Sequence, residues 1–178
     1  MNIKQLIYHA TLAPSGHNTQ PWKFSVNNNV VRIYPDFDRT LPVVDGDNHA
    51  LYISLGCALE NLVISAKKER LASRVDYFPD DEHEESIRIT FTGESNESEQ
   101  ELFDAIPVRQ SNRSMYDQQS IPPADIEQLL QANELKNIKV KTLDANEKSV
   151  DPIIELVKEA CRTQFNNRQF VDELVSWI

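Results

Sequence analysis

A chain of 178 residues with 28 acidic against 18 basic side chains carries a formal net charge of −10 at pH 7. That balance argues against a nucleic-acid binder, because phosphate backbones are held by clustered Lys and Arg, and it disfavours an anionic membrane surface. The length suffices for a substantial core in one domain or two small ones. No apolar run is read as approaching the roughly 20 residues of a membrane span, and no apolar signal core stands at the N-terminus, so the expected location is the cytoplasm. The two cysteines, Cys57 and Cys161, sit in apolar helical patterns and read as small buried hydrophobes rather than as a disulfide or metal pair. His9, His17, His49 and His83 share no ligand spacing, which speaks against zinc.

In chain order, Ile3, Leu6, Ile7, Ala10 and Thr11 recur at helical spacing and predict a short amphipathic helix stopped at Pro14. The next stretch, Ala13 to Trp22, packs two prolines, a glycine, a serine, two side-chain amides, a histidine and a tryptophan into ten residues. It cannot be a helix interior and reads as a loop rich in hydrogen-bonding groups, suited to a flat polar heterocycle. Lys23 to Val26 and Val30 to Tyr34 flank Asn27-Asn28-Asn29 and predict a β-hairpin, since Asn tolerates the left-handed backbone of tight turns. Pro35 to Asn48 is expected to be a loop with Asp36, Asp38, Asp45 and Asp47 as solvated turn residues.

Leu51 to Ser73 predicts the longest helix, apolar on most sides and therefore central, with Gly56 allowing close packing. Val75 to Phe78 and Ile87 to Phe91 read as strands joined by the acidic loop Asp80 to Glu85. A second acidic connector, Gly93 to Gln100, is the expected boundary between a first half, 1–93, and a second, 94–178. The second half opens with a short helix, Glu101 to Ile106. Beyond it come a helix entered at Pro122-Pro123, a strand from Ile138 to Leu143, and a helix from Val150 to Arg162 burying Ile153, Ile154, Val157 and Cys161. Phe170, Leu174, Trp177 and Ile178 form a final amphipathic stretch, and its apolar edge suggests a truncated chain or a surface covered by a partner.

Two groups of residues carry chemistry. Besides the Ala13 to Trp22 loop, Arg109, Ser111 and Arg113 alternate along the chain, so two guanidiniums and a hydroxyl can converge on one anion. Spacing alone leaves an equal alternative, surface bridges to Asp104 or Asp117.

Both groups resemble the FMN-dependent nitroreductases. Ala13-Pro14-Ser15, Asn18 and Gln20-Pro21-Trp22 match that superfamily's Ala-Pro-Ser-x-x-Asn-x-Gln-Pro-Trp segment at seven characteristic positions. Arg109-Gln110-Ser111-Asn112-Arg113-Ser114-Met115-Tyr116 is similar to its Arg-x-Ser-x-Arg-x-aromatic opening. The loop precedes the arginine motif here, an order that resembles the fused, internally duplicated Acg-like branch. The likeness covers roughly residues 3 to 130, including a central helix around Ser54 to Leu62.

The resemblance implies an α+β, nitroreductase-like fold: a mixed or antiparallel sheet flanked by helices around a buried central helix. It also implies FMN as cofactor, NAD(P)H as hydride donor, a nitro, quinone or similar acceptor, and a homodimer. Carried over, Arg109, Ser111 and Arg113 hold the phosphate, and Pro14, Ser15, Gly16, His17, Asn18 and Gln20 line the ring and ribityl chain. His17 departs from the small residue usual at its place. The flavin carries the chemistry, so no catalytic side chain is assigned. Two other readings stand beside this one: a protein that stores or sequesters FMN with little turnover, and a scaffold that has lost the cofactor.

Overall fold

The computed structural model describes residues 2–79, 86–117, 119–132, 138–144 and 147–178. The expected acidic loop at 80–85 lies outside them. The chain divides into two compact units, Met1–Gln110 with Arg168–Ile178, and Ser111–Asn167.

In the first unit, α1 (Ile3–Thr11) leads through a tight turn at Gly16–Asn18 into β1 (Trp22–Asn27) and β2 (Val30–Pro35). These strands pair antiparallel with Asn27 opposite Val30, leaving Asn28 and Asn29 as the hairpin loop, and Asn28 takes the left-handed backbone at φ 52°. Asn29 also donates its side-chain amide to the Phe91 carbonyl at 2.7 Å and accepts the Phe91 amide at 2.9 Å, tying the hairpin to the next strand. The long helix α2 (His49–Lys68) follows, then β3 (Leu71–Tyr77), β4 (Ile87–Glu94) and α3 (Gln100–Ala105). The four strands form one antiparallel sheet in the order β1-β2-β4-β3, so the architecture is α+β as expected.

Alternation places Val31 and Ile33 of β2 and Ile87, Ile89 and Phe91 of β4 on one face. Leu51, Leu55, Ala58, Leu59, Leu62 and Ala66 of α2, at helical spacing, close over that face, with Leu6 and Ala10 of α1 beside them. Each fully buried Leu or Ile there contributes about 1.5–3 kcal/mol of transfer free energy. Half of α2 is buried, although by length and composition it is apolar enough to cross a membrane; this corrects the expectation that no run approaches that length. Its outer flank stays open, with Ile53 55% exposed and Gly56 facing empty space. The expected close packing at Gly56 is therefore absent. The residue instead borders a groove of about 140 Å³ lined by Tyr52, Tyr77 and Phe78.

The helix stops short of the predicted Ser73. Arg70 adopts φ 57°, which a right-handed helix cannot continue through. Leu71 to Ser73 then pair with β4, where strand hydrogen bonds replace helical ones. Ala72 lies opposite Gly93 and Ser73 opposite Phe91, so Thr92 is an extra residue in β4, and the bulge is completed by Gly93 at φ 146°, open only to glycine. The acidic connector is not merely solvated. Lys67 reaches Glu99 at 3.0 Å and Glu97 at 3.5 Å, holding the connector against the end of α2.

The last helix, α6 (Arg168–Ser176), belongs to this first unit. Phe170 is buried and Leu174 and Trp177 are half-buried, so the apolar edge expected there is largely covered, leaving Ile178 exposed. The second unit holds α4 (Pro123–Gln131), with Pro in its first turn, and α5 (Asp151–Asn166). None of its described residues is buried. Ile153, Ile154, Val157 and Cys161 lie exposed on α5, against the expected buried side, and Cys57 is only half-buried. Residues 138–144 form no strand, because alternation supplies a pattern and a strand needs a hydrogen-bonded neighbour.

Candidate functional site

The Pro14–Gln20 loop owes its shape to hydrogen bonds among its own members. Ser15 takes extended backbone and its hydroxyl accepts the Gln20 amide at 2.9 Å. Its carbonyl accepts the Asn18 amide at 3.0 Å, and the Gly16 carbonyl accepts the Thr19 amide at 2.9 Å. Within that frame His17, Asn18 and Gln20 all adopt left-handed backbone, at φ 45°, 57° and 53°. For residues with a Cβ this costs on the order of 1–3 kcal/mol each, and such a conformation persists only where the surroundings over-determine it.

Those surroundings come from three directions. Thr19, Pro21 and Trp22 are buried and anchor the loop to the core. Arg39 donates to the Thr19 carbonyl at 2.9 Å. Leu41 packs closely on Gly16: a Cβ there would meet its Cδ1 at 3.0 Å, so a larger residue would require Leu41 to shift.

With the backbone held, the polar groups sort by direction. Pro14, Asn18 and Gln20 are exposed, and Ser15, Gly16 and His17 are half-buried. Neither the Asn18 nor the Gln20 side-chain amide has a hydrogen-bond partner among the described residues. His17 turns the other way: its Nε2 is shielded from solvent without a partner among the described residues, and its ring stands edge-on to Phe170 of α6 at 6.2 Å. The loop thus presents two free amides and a proline on a rigid backbone, with the imidazole beneath.

Behind the loop lies a charged cluster that sequence reasoning took for solvated turns. Asp36 is buried, and its carboxylate meets Lys23 at 2.7 Å and Arg39 at 3.5 Å. The hydrogen bond from Lys23 holds the Asp36 carboxyl below the usual carboxylate range, with a further contribution from the Asp38 amide. A depressed carboxyl stabilises the fold fully above the ordinary Asp range and loses that contribution as pH falls toward its folded value. Asp36→Asn is therefore expected to lower the urea midpoint at neutral pH and to flatten its decline below about pH 5, measured across an acid series. An unchanged acid slope would refute the assignment.

Asp45 is also buried, and it caps α2. Its two carboxylate oxygens accept the amides of Ala50 and Leu51 at 2.8 and 2.9 Å. The signal was present in the sequence, as an Asp-Gly-Asp-Asn run just ahead of an apolar helical pattern. What it lacked was a way to choose among three candidate caps. The residue nearest the helix, Asn48, makes no side-chain capping bond.

The arginine motif has no regular secondary structure and is exposed throughout. Arg109 closes the first unit just after α3, while Ser111 and Arg113 open the second. The loop residues thus form one cluster in the first unit, and Ser111 and Arg113 stand in the other unit. Asp104 accepts a hydrogen bond from Gln100 and Asp117 accepts the Gln119 amide. Among the described residues neither Arg109 nor Arg113 forms an ion pair, so the surface bridges that spacing left open are not made.

No family model matches the sequence. Among curated proteins, the chain is 24% identical over 179 residues to a Mycobacterium tuberculosis H37Rv protein provisionally named NAD(P)H nitroreductase Rv3131; the match covers 98% of this chain and 50% of the relative. It is 28% identical over 114 residues to the provisionally named NAD(P)H nitroreductase acg of the same organism, covering 62% of this chain and 34% of the relative. The chain is thus similar to Acg-like proteins provisionally named as nitroreductases. It spans about half the length of the curated relatives it matches first. The match to Rv3131 covers 98% of this chain and so takes in both the strained loop and the arginine motif.

Proposed function

We propose that this Acg-like chain binds FMN and serves an NAD(P)H-dependent oxidoreductase that reduces a nitro compound, a quinone or a similar acceptor. The observation that carries the reading is the loop: His17, Asn18 and Gln20 are locked in left-handed backbone, with the Asn18 and Gln20 amides exposed and without a partner among the described residues. A stack of donors and acceptors held rigid at the surface suits the edge of an isoalloxazine ring, and Pro14 offers an apolar flank to its face. The guanidiniums of Arg109 and Arg113, without an ion pair among the described residues, suit a phosphate dianion together with the Ser111 hydroxyl.

When bound, FMN supplies the hydride chemistry, taking two electrons from the nicotinamide and passing them on. The chain's own residues place it. Asn18 and Gln20 orient the ring by hydrogen bonds, and Ser15 keeps the Gln20 backbone in the conformation that aims its side chain outward. Amide donors near the pyrimidine edge of the ring would favour the negative charge gained on reduction, as preorganised donors do in an oxyanion hole. The reading carries with it a cytoplasmic location, where NAD(P)H is supplied, and a homodimer.

Titrating FMN into the purified protein is expected to quench flavin fluorescence with one-to-one saturation and to leave a yellow protein after desalting. Anaerobic NADH or NADPH should then bleach the flavin absorbance. A colourless protein with no quenching would overturn the reading in favour of a scaffold without cofactor. A yellow protein that neither nicotinamide bleaches would replace turnover with storage.

A further inference from the structure

We propose that α6 is a positioning element for the Pro14–Gln20 loop, clamping it through Phe170 and Glu173 so that Asn18 and Gln20 stay turned toward the cofactor. This rests on the proposed flavin site, and it names residues outside either motif as determinants of that site. Two independent lines of contact run from the helix. Along the first, Phe170 is buried and stands edge-on to the His17 ring. Along the second, the Glu173 carboxylate accepts the Val43 and Val44 amides at 2.8 and 3.1 Å. Those amides belong to the turn closed by the Asp45 amide on the Leu41 carbonyl at 2.7 Å, and Leu41 is the residue pressed on Gly16.

The two lines end on adjacent residues, Gly16 and His17. That is where the backbone turns left-handed, at φ 45° for His17. A strained run of this kind relaxes when the groups enforcing it are removed. Two of the enforcing groups lie on a helix far along the chain, with Glu173 standing 130 and 129 residues beyond Val43 and Val44. Docking of α6 therefore sets the conformation of the loop, and its release would unset it. Phe170 and Glu173 lie outside both motifs in the sequence, and the effect proposed for them on a flavin is transmitted through the loop.

The test compares wild type with Phe170→Ala, Glu173→Ala and Glu173→Gln in the full chain, first without flavin. Amide exchange at residues 16–20 and 43–45 is expected to rise at least about tenfold in both alanine variants, while Ile33, Leu62 and Ile89 keep their protection. Glu173→Gln, which retains one carbonyl oxygen, should recover part of the loss. In titrations the Kd of FMN and of riboflavin should rise by the same factor, about five- to tenfold, because the clamp acts on the ring-facing loop and not on phosphate. Unchanged exchange at 16–20 in a variant whose α6 amides have become labile would overturn the proposal. So would a fall in FMN affinity that spares riboflavin. If Phe170→Ala loses core protection, the Glu173 pair decides the matter alone. A wild type that binds no flavin would defeat the proposed function, while the clamp itself would still be judged on loop exchange.

Discussion

Replacing Arg113 by Ala is expected to weaken FMN binding about 10- to 100-fold and to leave riboflavin within roughly twofold. A charge-assisted hydrogen bond is worth about 1.5–3 kcal/mol, and a guanidinium can make two in parallel to one phosphate. Riboflavin lacks that phosphate, so the pair of ligands isolates one interaction without altering the ring. The structure makes the comparison clean, because Arg113 is exposed and has no ion pair among the described residues. Its loss should therefore leave thermal stability nearly unchanged. Arg113→Lys should fall between the two, since an ammonium keeps the charge but cannot bind in a bidentate way. Fluorescence titration of both flavins against all three proteins reads the result. Equal losses for FMN and riboflavin would refute a phosphate role and move Arg113 out of the site.

The second large effect is expected at Asp45, on stability rather than binding. Asp45→Ala removes both acceptors from the Ala50 and Leu51 amides at the start of α2, where Leu51 is itself buried. Loss of a capping side chain costs about 0.5–2 kcal/mol, and a buried carboxylate serving two amides belongs at or above the top of that range. A loss of about 2 kcal/mol should lower the melting temperature by about 6–10 °C in a body of this size. Asp45→Asn keeps one acceptor oxygen and should lose about half as much. Calorimetry on the three proteins checks the order. Equal melting temperatures would mean that the open N-terminus of α2 is satisfied by water instead.

The two expectations differ in how they became visible. Arg113 was legible as a candidate because Arg109, Ser111 and Arg113 at alternate positions in an acidic chain can converge on one anion. Asp45 was not, because an aspartate in a polar stretch looks the same whether it caps a helix or faces solvent. Asp36 was misread in the same way, and only the approach of Lys23 and Arg39 shows its burial. Exposure depends on what folds over a residue, and that information is not local.

The same division runs through the fold. The hairpin, the bounds of α1 and the core stripe of α2 follow from local pattern, since each needs only alternation, helical spacing or a turn residue. The end of α2 at Lys68, the bulge at Gly93 and the missing strand at 138–143 do not, because strand pairing is a contest among partners distant in sequence. α5 shows the opposite limit. Its apolar spacing made the helix, but no described residue of its unit covers Ile154 or Val157, so helical periodicity did not imply burial.

By itself the sequence determined which residues could bind: the amides and proline of the Ala13–Trp22 loop and the guanidiniums of Arg109 and Arg113, because their functional groups are set by residue type. The tertiary structure alone decided which of them are presented. Asn18 and Gln20 face outward and His17 inward because Ser15, Leu41, Arg39 and α6 hold His17, Asn18 and Gln20 in left-handed backbone on either side of a right-handed Thr19. Asn tolerates such backbone locally, but Gln20 has no such preference, and packing from elsewhere in the chain holds the whole set.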